Sequence, residues 1–315
     1  MTLTSDASGY GWGATVVDTT ESTGGMWSDS ETDLHINILE LKAVLLALQT
    51  FCRDIQNAHI KLFVDNMTAV TYLNKQGGTK VTCNDITRQI WLWAEQNNNW
   101  LTAAHLPGVD NTLADHESRH FNIDIEWMLN KDVCLALFQL FTKPTVDLFA
   151  SRLNHQLERY VSWRPDPGAI AIDAFSFIWN EYSYVFPPFS LLGSVLKKVE
   201  EDQAEVILIA PLWTTQCWFP RLLQLVIAEP RLLPVQKDIL VLPQDREMTH
   251  PLLLKLHLTA FRISGKSSKV REFRLKQPTL SYTHGEIRQN DNTGLITENG
   301  CYFVTDNRKI HFLQM

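Results

Sequence analysis

The sequence predicts an α/β protein made of two successive α/β units and a basic, irregular C-terminal tail. Two observations predict this class. Glycine-rich strand patterns open the chain, and apolar segments of alternating helical and strand periodicity follow them. The same alternation begins again after Pro144 and fades beyond residue 245. The resulting division is residues 1–125, a connector at 126–142, a second unit at 143–245, and a tail at 246–315.

The first unit begins with strands. Residues 2–6 and 12–17 alternate around Gly9, Gly11 and Gly13, which predicts a hairpin with tight or bulged corners. The hairpin would place two antiparallel strands at the start of the first sheet.

Helices and strands then alternate. Apolar residues at helical spacing predict a helix from Asn37 to Phe51, with Asn37 as its cap. The next segments read as a strand, two helices and a strand: His59–Val64, Met67–Leu73, Asn84–Glu95 and Leu101–His105. Strands in a hairpin followed by this alternation indicate a mixed sheet with flanking helices.

The second unit is built around two apolar strands. Thr145–Phe149 and Val206–Ala210 have the apolar composition of buried parallel strands, and Pro211 ends the latter. In the tail, basic residues concentrate between Lys255 and Lys276. A solvated linker surface, a nucleic-acid-binding arm and the beginning of a further domain are all open explanations of that stretch.

Composition excludes several classes. The chain has 315 residues, of which 45% are hydrophobic and 20% charged, as in globular proteins. Its 5 cysteines are scattered, which favours a reducing compartment over a disulfide framework. No apolar stretch reaches the roughly 18 residues that span a bilayer, and no secretory signal is visible. We expect an intracellular protein, cytoplasmic or nuclear, without a membrane partner.

Four carboxylates stand where apolar segments begin or end: Asp6, Glu40, Asp65 and Asp115. Singly, each is better explained as a turn, cap or loop residue. Together they form a different pattern, because Asp6 and Asp65 both close strands at the edge of an α/β sheet where ligands bind. Carboxylate oxygens are the ligands that hard cations prefer.

The residues around these acids carry a resemblance. The turn Asp6-Ala-Ser-x-x-Gly-x-Gly-Ala, the helix segment Glu40-Leu-Lys-Ala, the strand end Val-Asp65-Asn and His105-x-x-Gly-x-x-Asn-x-x-Ala-Asp115 resemble type 1 ribonuclease H. They are most similar to the form fused to reverse transcriptases of retroelements. The resemblance covers residues 2 to about 120 and implies Mg²⁺-dependent endonucleolytic cleavage of the RNA strand of RNA–DNA hybrids.

The resemblance also implies roles for the acids. Asp6 would bridge two Mg²⁺ ions, Glu40 and Asp65 would complete the shell of one, and Asp115 would help to hold the other. Mn²⁺ would substitute. In two-metal sites one ion activates the attacking water and the other stabilises the leaving oxygen.

Four further residues match the family pattern. His105 would assist proton transfer or product release, although a structural strand-end histidine explains it equally well. Ser8, Asn66 and Asn111 would contact the hybrid, whose 2′-hydroxyls distinguish RNA from DNA.

The second unit resembles a Dam-type adenine methyltransferase. The similarity lies in Asp147-Leu-Phe-Ala and in Phe186-Pro187-Pro188-Phe189. In that family an Asn or Asp before the two prolines accepts hydrogen bonds from the flipped adenine. Phe186 cannot accept them, and no Gly-x-Gly cofactor loop is evident. The expectation is a methyltransferase-like fold without activity and without S-adenosylmethionine.

The order of the two units resembles the polyprotein of DIRS-type retrotransposons. This implies a reverse transcriptase and a tyrosine recombinase as partners in a full-length element, with the present chain truncated before the recombinase. An alternative function is a catalytically weak or inactive nucleic-acid-binding remnant of such a polyprotein.

Overall fold

A computed structural model describes residues 1–122, 126–279, 300–306 and 308–315. The first unit contains five strands and five helices. The strands are β1 (Thr2–Ala7), β2 (Gly11–Val16), β3 (Ser22–Met26), β4 (His59–Val64) and β5 (Trp100–His105). The helices are α1 (Asp29–Thr32), α2 (Ile36–Phe51), α3 (Met67–Lys75), α4 (Val81–Gln96) and α5 (Thr112–Arg119).

The first sheet is mixed, which confirms the predicted α/β class. Its order is β3-β2-β1-β4-β5; β1, β2 and β3 pair antiparallel, whereas β1, β4 and β5 run parallel. The predicted helices and strands of this unit are confirmed, with ends that differ by at most three residues and with His59–Val64 unchanged. The cap of α2 is His35 rather than Asn37, because His35 Nδ1 accepts the N–H of Asn37 at 3.1 Å.

The glycines of the first hairpin have a different purpose from the predicted one. Gly11 and Gly13 lie inside β2 rather than at a corner. A Cβ on Gly13 would lie 2.1 Å from the carbonyl oxygen of Ala114, and one on Gly24 would lie 2.5 Å from that of Glu117. Both oxygens belong to α5, so the glycines let this helix approach the strands closely.

The described part of the chain beyond residue 125 contains the remaining strands and α-helices, from the connector 126–142 through the second unit to the tail. Its strands are β6 (Met128–Leu129), β7 (Val146–Asp147), β8 (Val161–Ser162), β9 (Ala171–Ile172), β10 (Ser183–Val185), β11 (Glu205–Pro211), β12 (Arg231–Leu232), β13 (Leu240–Val241), β14 (Leu258–Ser264), β15 (Gly300–Thr305) and β16 (Arg308–Gln314). Its helices are α6 (Lys131–Phe141), α7 (Leu192–Glu201), α8 (Phe219–Leu225), α9 (Leu253–Leu256) and α10 (Ser267–Lys276).

In the second unit, strands lie on both sides of β7. Its order is β15-β16-β12-β14-β11-β10-β7, and β7, β10 and β11 run parallel. A parallel bridge from Asp147 to Tyr160 continues the other way toward β8 and β9. The chain therefore turns outward on both sides of β7, as in doubly wound folds. The predicted strand Val206–Ala210 is confirmed within β11, whereas Thr145–Phe149 shortens to β7.

The expectation of an irregular tail is wrong for the described part of residues 246–315. Strand β14 lies between β11 and β12, and β15 and β16 extend the same sheet. The basic stretch belongs to this sheet and to α10, since Arg262 and Lys269 both pair with Glu205 of β11. The connector 126–142 likewise supplies β6 and α6. Residues 280–299 and 307 of the predicted tail lie outside the described residues.

Within the described ranges, no helix has the length and apolar character needed to cross a bilayer.

Candidate metal centre

Three of the predicted acids meet at one edge of the first sheet. Asp6 lies near the end of β1, Asp65 follows β4 directly, and Glu40 comes from the first half of α2. Each offers an oxygen, and these oxygens lie within 4.8 Å of one another. Strands β1 and β4 are parallel neighbours, so their carboxyl ends meet at the same edge, and α2 packs across β1.

Burial dominates the electrostatics of this acid cluster, and Arg119 is a nearby cation that lowers the pKa of Asp6. Glu40 is only 3% exposed, and its Oε2 has no hydrogen-bond partner among the described residues. Burial, followed by the charges of Asp65 and Asp6, raises the pKa of Glu40 to about 9. Burial also raises the pKa of Asp6, against the lowering effect of a hydrogen bond from Ser118. A buried oxygen without a donor, next to two more carboxylates, fits a divalent cation.

Asp115 stands apart from this cluster. It does not belong to the group whose oxygens lie within 4.8 Å. Its Oδ1 accepts the Nε–H of Arg119 at 2.7 Å, one turn further along α5. It lies close enough for its charge to raise the pKa of Asp6. The expected four-acid site is therefore three acids plus a neighbour that pairs with arginine.

Sequence reasoning missed Ser118. Its hydroxyl lies 2.6 Å from Asp6 Oδ2 and can donate to it, and it lies 2.9 Å from the carbonyl oxygen of Asp115. Ser118 is fully buried and thus links α5 to β1 at the cluster. The available signal was its spacing, since a residue three positions after Asp115 shares its helix face.

The segment after β5 closes one side of the cluster. His105 Nε2 donates to the carbonyl oxygen of Asp65 at 3.0 Å, which is the structural contact that the sequence left open. A Cβ on Gly108 would lie 3.3 Å from Asp65 Oδ2. The backbone of this segment is therefore near Asp65, and a catalytic role for His105 stays a prediction.

Two of the three predicted hybrid contacts are directed into the protein instead. Ser8 is 4% exposed, and its hydroxyl donates to Ser118 O at 2.6 Å. Asn111 is 2% exposed and donates to Ser5 O at 3.0 Å. Both polar groups therefore bond within the protein, and the contacts of Ser8 and Asn111 with a hybrid stay predictions. Asn66 caps α3 by accepting the N–H of Ala69, and its hybrid contact stays a prediction.

The acid of the second unit's motif, Asp147, also lies at a strand end, but it is buried and bonded within the protein. Asp147 ends β7 and is 2% exposed. Its carboxylate accepts the backbone N–H groups of Gln156 at 3.0 Å and Phe149 at 3.4 Å, while burial raises its pKa to about 7.

The Pro-Pro turn of the second unit is aromatic rather than polar. Phe186 follows β10 directly, and its ring lies 6.3 Å from that of Phe189. Phe189 in turn contacts Trp213 edge to face at 5.4 Å. Pro187 is buried, and Pro188 precedes a short 3-10 helix that leads into α7. Phe186 thus joins an aromatic cluster at the position where an amide or carboxylate was looked for.

Comparison with known proteins gives partial structural likeness. No protein-family model matches the sequence, and no curated protein matches it. LC11-RNase H1, solved in complex with RNA/DNA hybrid, shares 17% identity over 36% of this chain and 91% of its own, with a TM-score of 0.32. RNase H1 from the halophilic archaeon Halobacterium salinarum NRC-1 shares 17% identity over 36% and 89%, with a TM-score of 0.30.

A third solved structure is similar at the same level. The N-terminal RNase H domain of a Mycobacterium tuberculosis protein, solved as a fusion with maltose-binding protein, shares 14% identity over 37% of this chain and 95% of that one, with a TM-score of 0.29.

Proposed function

We propose that the first unit is a ribonuclease H that cleaves the RNA strand of RNA–DNA hybrids endonucleolytically with Mg²⁺. The proposal includes the origin implied by the sequence motifs, a retroelement polyprotein whose reverse transcriptase and recombinase would be separate partners. The second unit has no catalytic role in it.

One observation carries the proposal. Asp6, Glu40 and Asp65 come from three separate elements, yet their oxygens converge within 4.8 Å. Packing alone does not favour this, because burial and the neighbouring carboxylates penalise the ionised form of Glu40, and no described group donates to its Oε2. Convergence is favourable when a cation is bound between them.

The residues of the chain would divide the work as follows. Asp6, Glu40 and Asp65 hold the metal, and Mg²⁺ in such a site supplies an activated water and charge stabilisation for the leaving oxygen. Ser118 fixes the rotamer of Asp6 through its hydroxyl, which lies 2.6 Å from Oδ2. Asp115 would join the metal ligands only by exchanging its bond with Arg119. Asn66 and His105 would face the hybrid.

The test is cleavage of a labelled RNA–DNA hybrid by the full chain in Mg²⁺ or Mn²⁺. Asp65→Asn keeps the shape of the side chain but removes its charge, and should reduce the rate by at least about a hundredfold. Asp110→Asn, an exposed acid of the same unit outside the cluster, is the matched control and should cleave as the parent does. If Asp65→Asn cuts as fast as the parent, the site is assigned wrongly.

A second candidate function is an inactive nucleic-acid-binding remnant. The ion pair between Asp115 and Arg119 favours this function, because it keeps the fourth carboxylate from binding the metal. Arg119→Ala distinguishes the two: it should leave cleavage unchanged or raise it if Asp115 joins the metal site. A parent and an Arg119→Ala variant that both bind hybrid without cleaving it would establish the remnant.

A further inference from the structure

A segment of the second unit lies along the outer edge of the first sheet. Residues 152–169, here called the brace segment, contact β3, which is the edge strand of that sheet. They also contact α5, the helix that carries Asp115 and Ser118. The first unit is therefore contacted on this side by residues that lie at least 126 positions after the β3 residues they bind and 47 positions after the α5 residue they bind.

Side chains of the brace segment bind two backbone carbonyls on the free edge of β3. An edge strand has a row of unpaired backbone carbonyls on its outer side. Arg152 donates to the carbonyl oxygen of Met26 at 2.9 Å, and Arg164 donates to that of Gly24. The side chain of Thr23 donates to the carbonyl oxygen of Pro165. Arginine caps the edge at alternate residues, as the period of a strand requires.

Each of these arginines also binds a carboxylate of the first unit. Arg152 contacts both oxygens of Glu31, at 3.2 and 3.0 Å, and Lys42 lies 2.9 Å from the same group. Burial of Glu31 raises its pKa, but the charge and hydrogen bonds of Arg152 outweigh that effect and lower it to about 2. Glu31 and Arg152 thus form a largely buried ion pair between β3's side of the first unit and the brace segment.

The second arginine reaches the helix beside the acid cluster. Arg164 lies 3.2 Å from Glu117 Oε2, and Ser22 donates to the other oxygen of Glu117 at 3.0 Å. Glu117 stands between Asp115 and Ser118 on α5. One guanidinium thus connects β3 to α5 within one residue of the hydroxyl that holds Asp6.

We propose that the brace segment positions the metal centre, with Arg164 as the residue that holds α5 against the strands. The consequence is a structural function for the second unit: it keeps Ser118 and Asp115 in place for the neighbouring unit. This rests on the proposed function. Simple packing of two units would not require an arginine at the position next to the cluster.

The experiment uses the full chain and compares variants at two arginines of the brace segment. Arg164→Ala removes the connection to Glu117. Arg159→Ala is the matched control, because Arg159 binds only Glu181 within its own unit among the contacts described, at a partly exposed position. Arg164→Lys keeps the charge but not the two-sided geometry of a guanidinium, so it should lie between the two.

We expect Arg164→Ala to lower kcat by about tenfold to a hundredfold, because small displacements of positioned groups have effects of that size. KM for the hybrid should change little, and the Mg²⁺ concentration for half-maximal rate should rise. Amide hydrogen exchange in α5 should accelerate. A double variant, Arg164→Glu with Glu117→Arg, should recover part of the rate that each single variant loses.

The outcomes separate the two proposals. A parent that neither cleaves hybrid nor binds Mg²⁺ by calorimetry overturns the proposed function. An active parent whose Arg164→Ala variant matches Arg159→Ala in kcat, in Mg²⁺ dependence and in α5 exchange overturns the positioning role. If the parent is inactive, the Mg²⁺ affinity and α5 exchange of the same variants decide the positioning role alone. A variant that does not fold is replaced by Arg164→Lys, which is read in the same way.

Discussion

The two units end their parallel strands with the same kind of residue and treat it differently. In the first, Asp6 and Asp65 end neighbouring strands and Glu40 joins them. In the second, Asp147 ends β7 and is bonded to two backbone N–H groups, while Phe186 and Pro187 follow the next strand. Backbone donors satisfy Asp147, whereas nothing described donates to Glu40 Oε2.

This difference distinguishes a carboxylate that binds a ligand from one that stabilises the fold. A buried carboxylate that has its own donors is part of the fold, and its raised pKa is a by-product of burial. A buried carboxylate with one oxygen that no described group donates to, next to other carboxylates, is suited to a ligand from outside.

The largest expected effect concerns the acids themselves. Glu40→Gln should reduce hybrid cleavage by about a hundredfold or more, because a ligand of the catalytic metal lowers the activation barrier by several kcal/mol. Asp147→Asn, the equally buried acid of the second unit, should leave the rate within about twofold, since one amide oxygen still accepts a backbone N–H. Equal losses of cleavage rate in the two variants would contradict different roles for Glu40 and Asp147.

The next effect concerns the glycines under α5. Gly13→Ala should lower the free energy of unfolding by about 1–3 kcal/mol, because its Cβ would meet backbone oxygen and nitrogen of α5. The usual gain from replacing glycine, about 0.4–1 kcal/mol, is too small to offset this. Gly9→Ala has open space and is the control. Chemical denaturation measures both, and similar values for the two would show that α5 tolerates displacement.

Metal binding should stabilise the first unit alone. At ten times its dissociation constant, Mg²⁺ should raise the free energy of unfolding by about 1.5 kcal/mol. Asp65→Asn should abolish the increase and Asp147→Asn should preserve it. Thermal melts with and without Mg²⁺ measure this, and an increase that survives Asp65→Asn would place the bound ion elsewhere.

The pH dependence of stability should differ between the two acids. The pKa of Asp147 is raised from 3.8 to about 7 and that of Glu40 from 4.5 to about 9. In both cases the folded state keeps a proton that the unfolded state releases, so stability is greatest below the unfolded pKa and falls as pH rises. The Asp147 contribution ends near pH 7, whereas that of Glu40 continues to about 9.

Variants test this assignment directly. In metal-free buffer, Glu40→Gln should flatten the decline in melting temperature between about pH 7 and 9, and Asp147→Asn should flatten it at lower pH. Saturating Mg²⁺ should remove the Glu40 part only. A decline that neither variant alters would assign it to other groups.

The last prediction is that the second unit does not methylate DNA. Incubation with labelled S-adenosylmethionine and adenine-containing DNA should give no methyl incorporation above a Pro188→Ala control, because Phe186 offers no acceptor for the adenine amino group. Incorporation by the parent, lost in that control, would restore catalysis to the second unit.

The sequence predicted local features better than distant ones. Strands β4, β5 and β11 and helices α2 to α4 follow from periodicity, and three acids follow from motif spacing. The role of Gly13 was predicted wrongly because glycine favours both turns and close helix packing. The end of the chain was misjudged because Arg262 and Lys269 suggest a solvated surface until Glu205, about sixty residues earlier, is known to face them.

The pairing of Asp115 with Arg119 could have been read from the sequence. Residues four apart on a helix are neighbours, and an acid followed by arginine at that spacing forms an ion pair. The brace segment could not, since no local pattern links Arg164 to Glu117. Contacts between separate units depend on how both sheets fold first.

The covered edge of β3 also bears on how the first unit would behave if it were produced by itself. Cutting the chain after residue 122 would remove the arginines that occupy the carbonyls of Gly24 and Met26. A bare edge strand pairs readily with another copy, so the isolated unit should form edge-to-edge assemblies and aggregate with time. In this respect we expect the second unit to keep the first unit soluble.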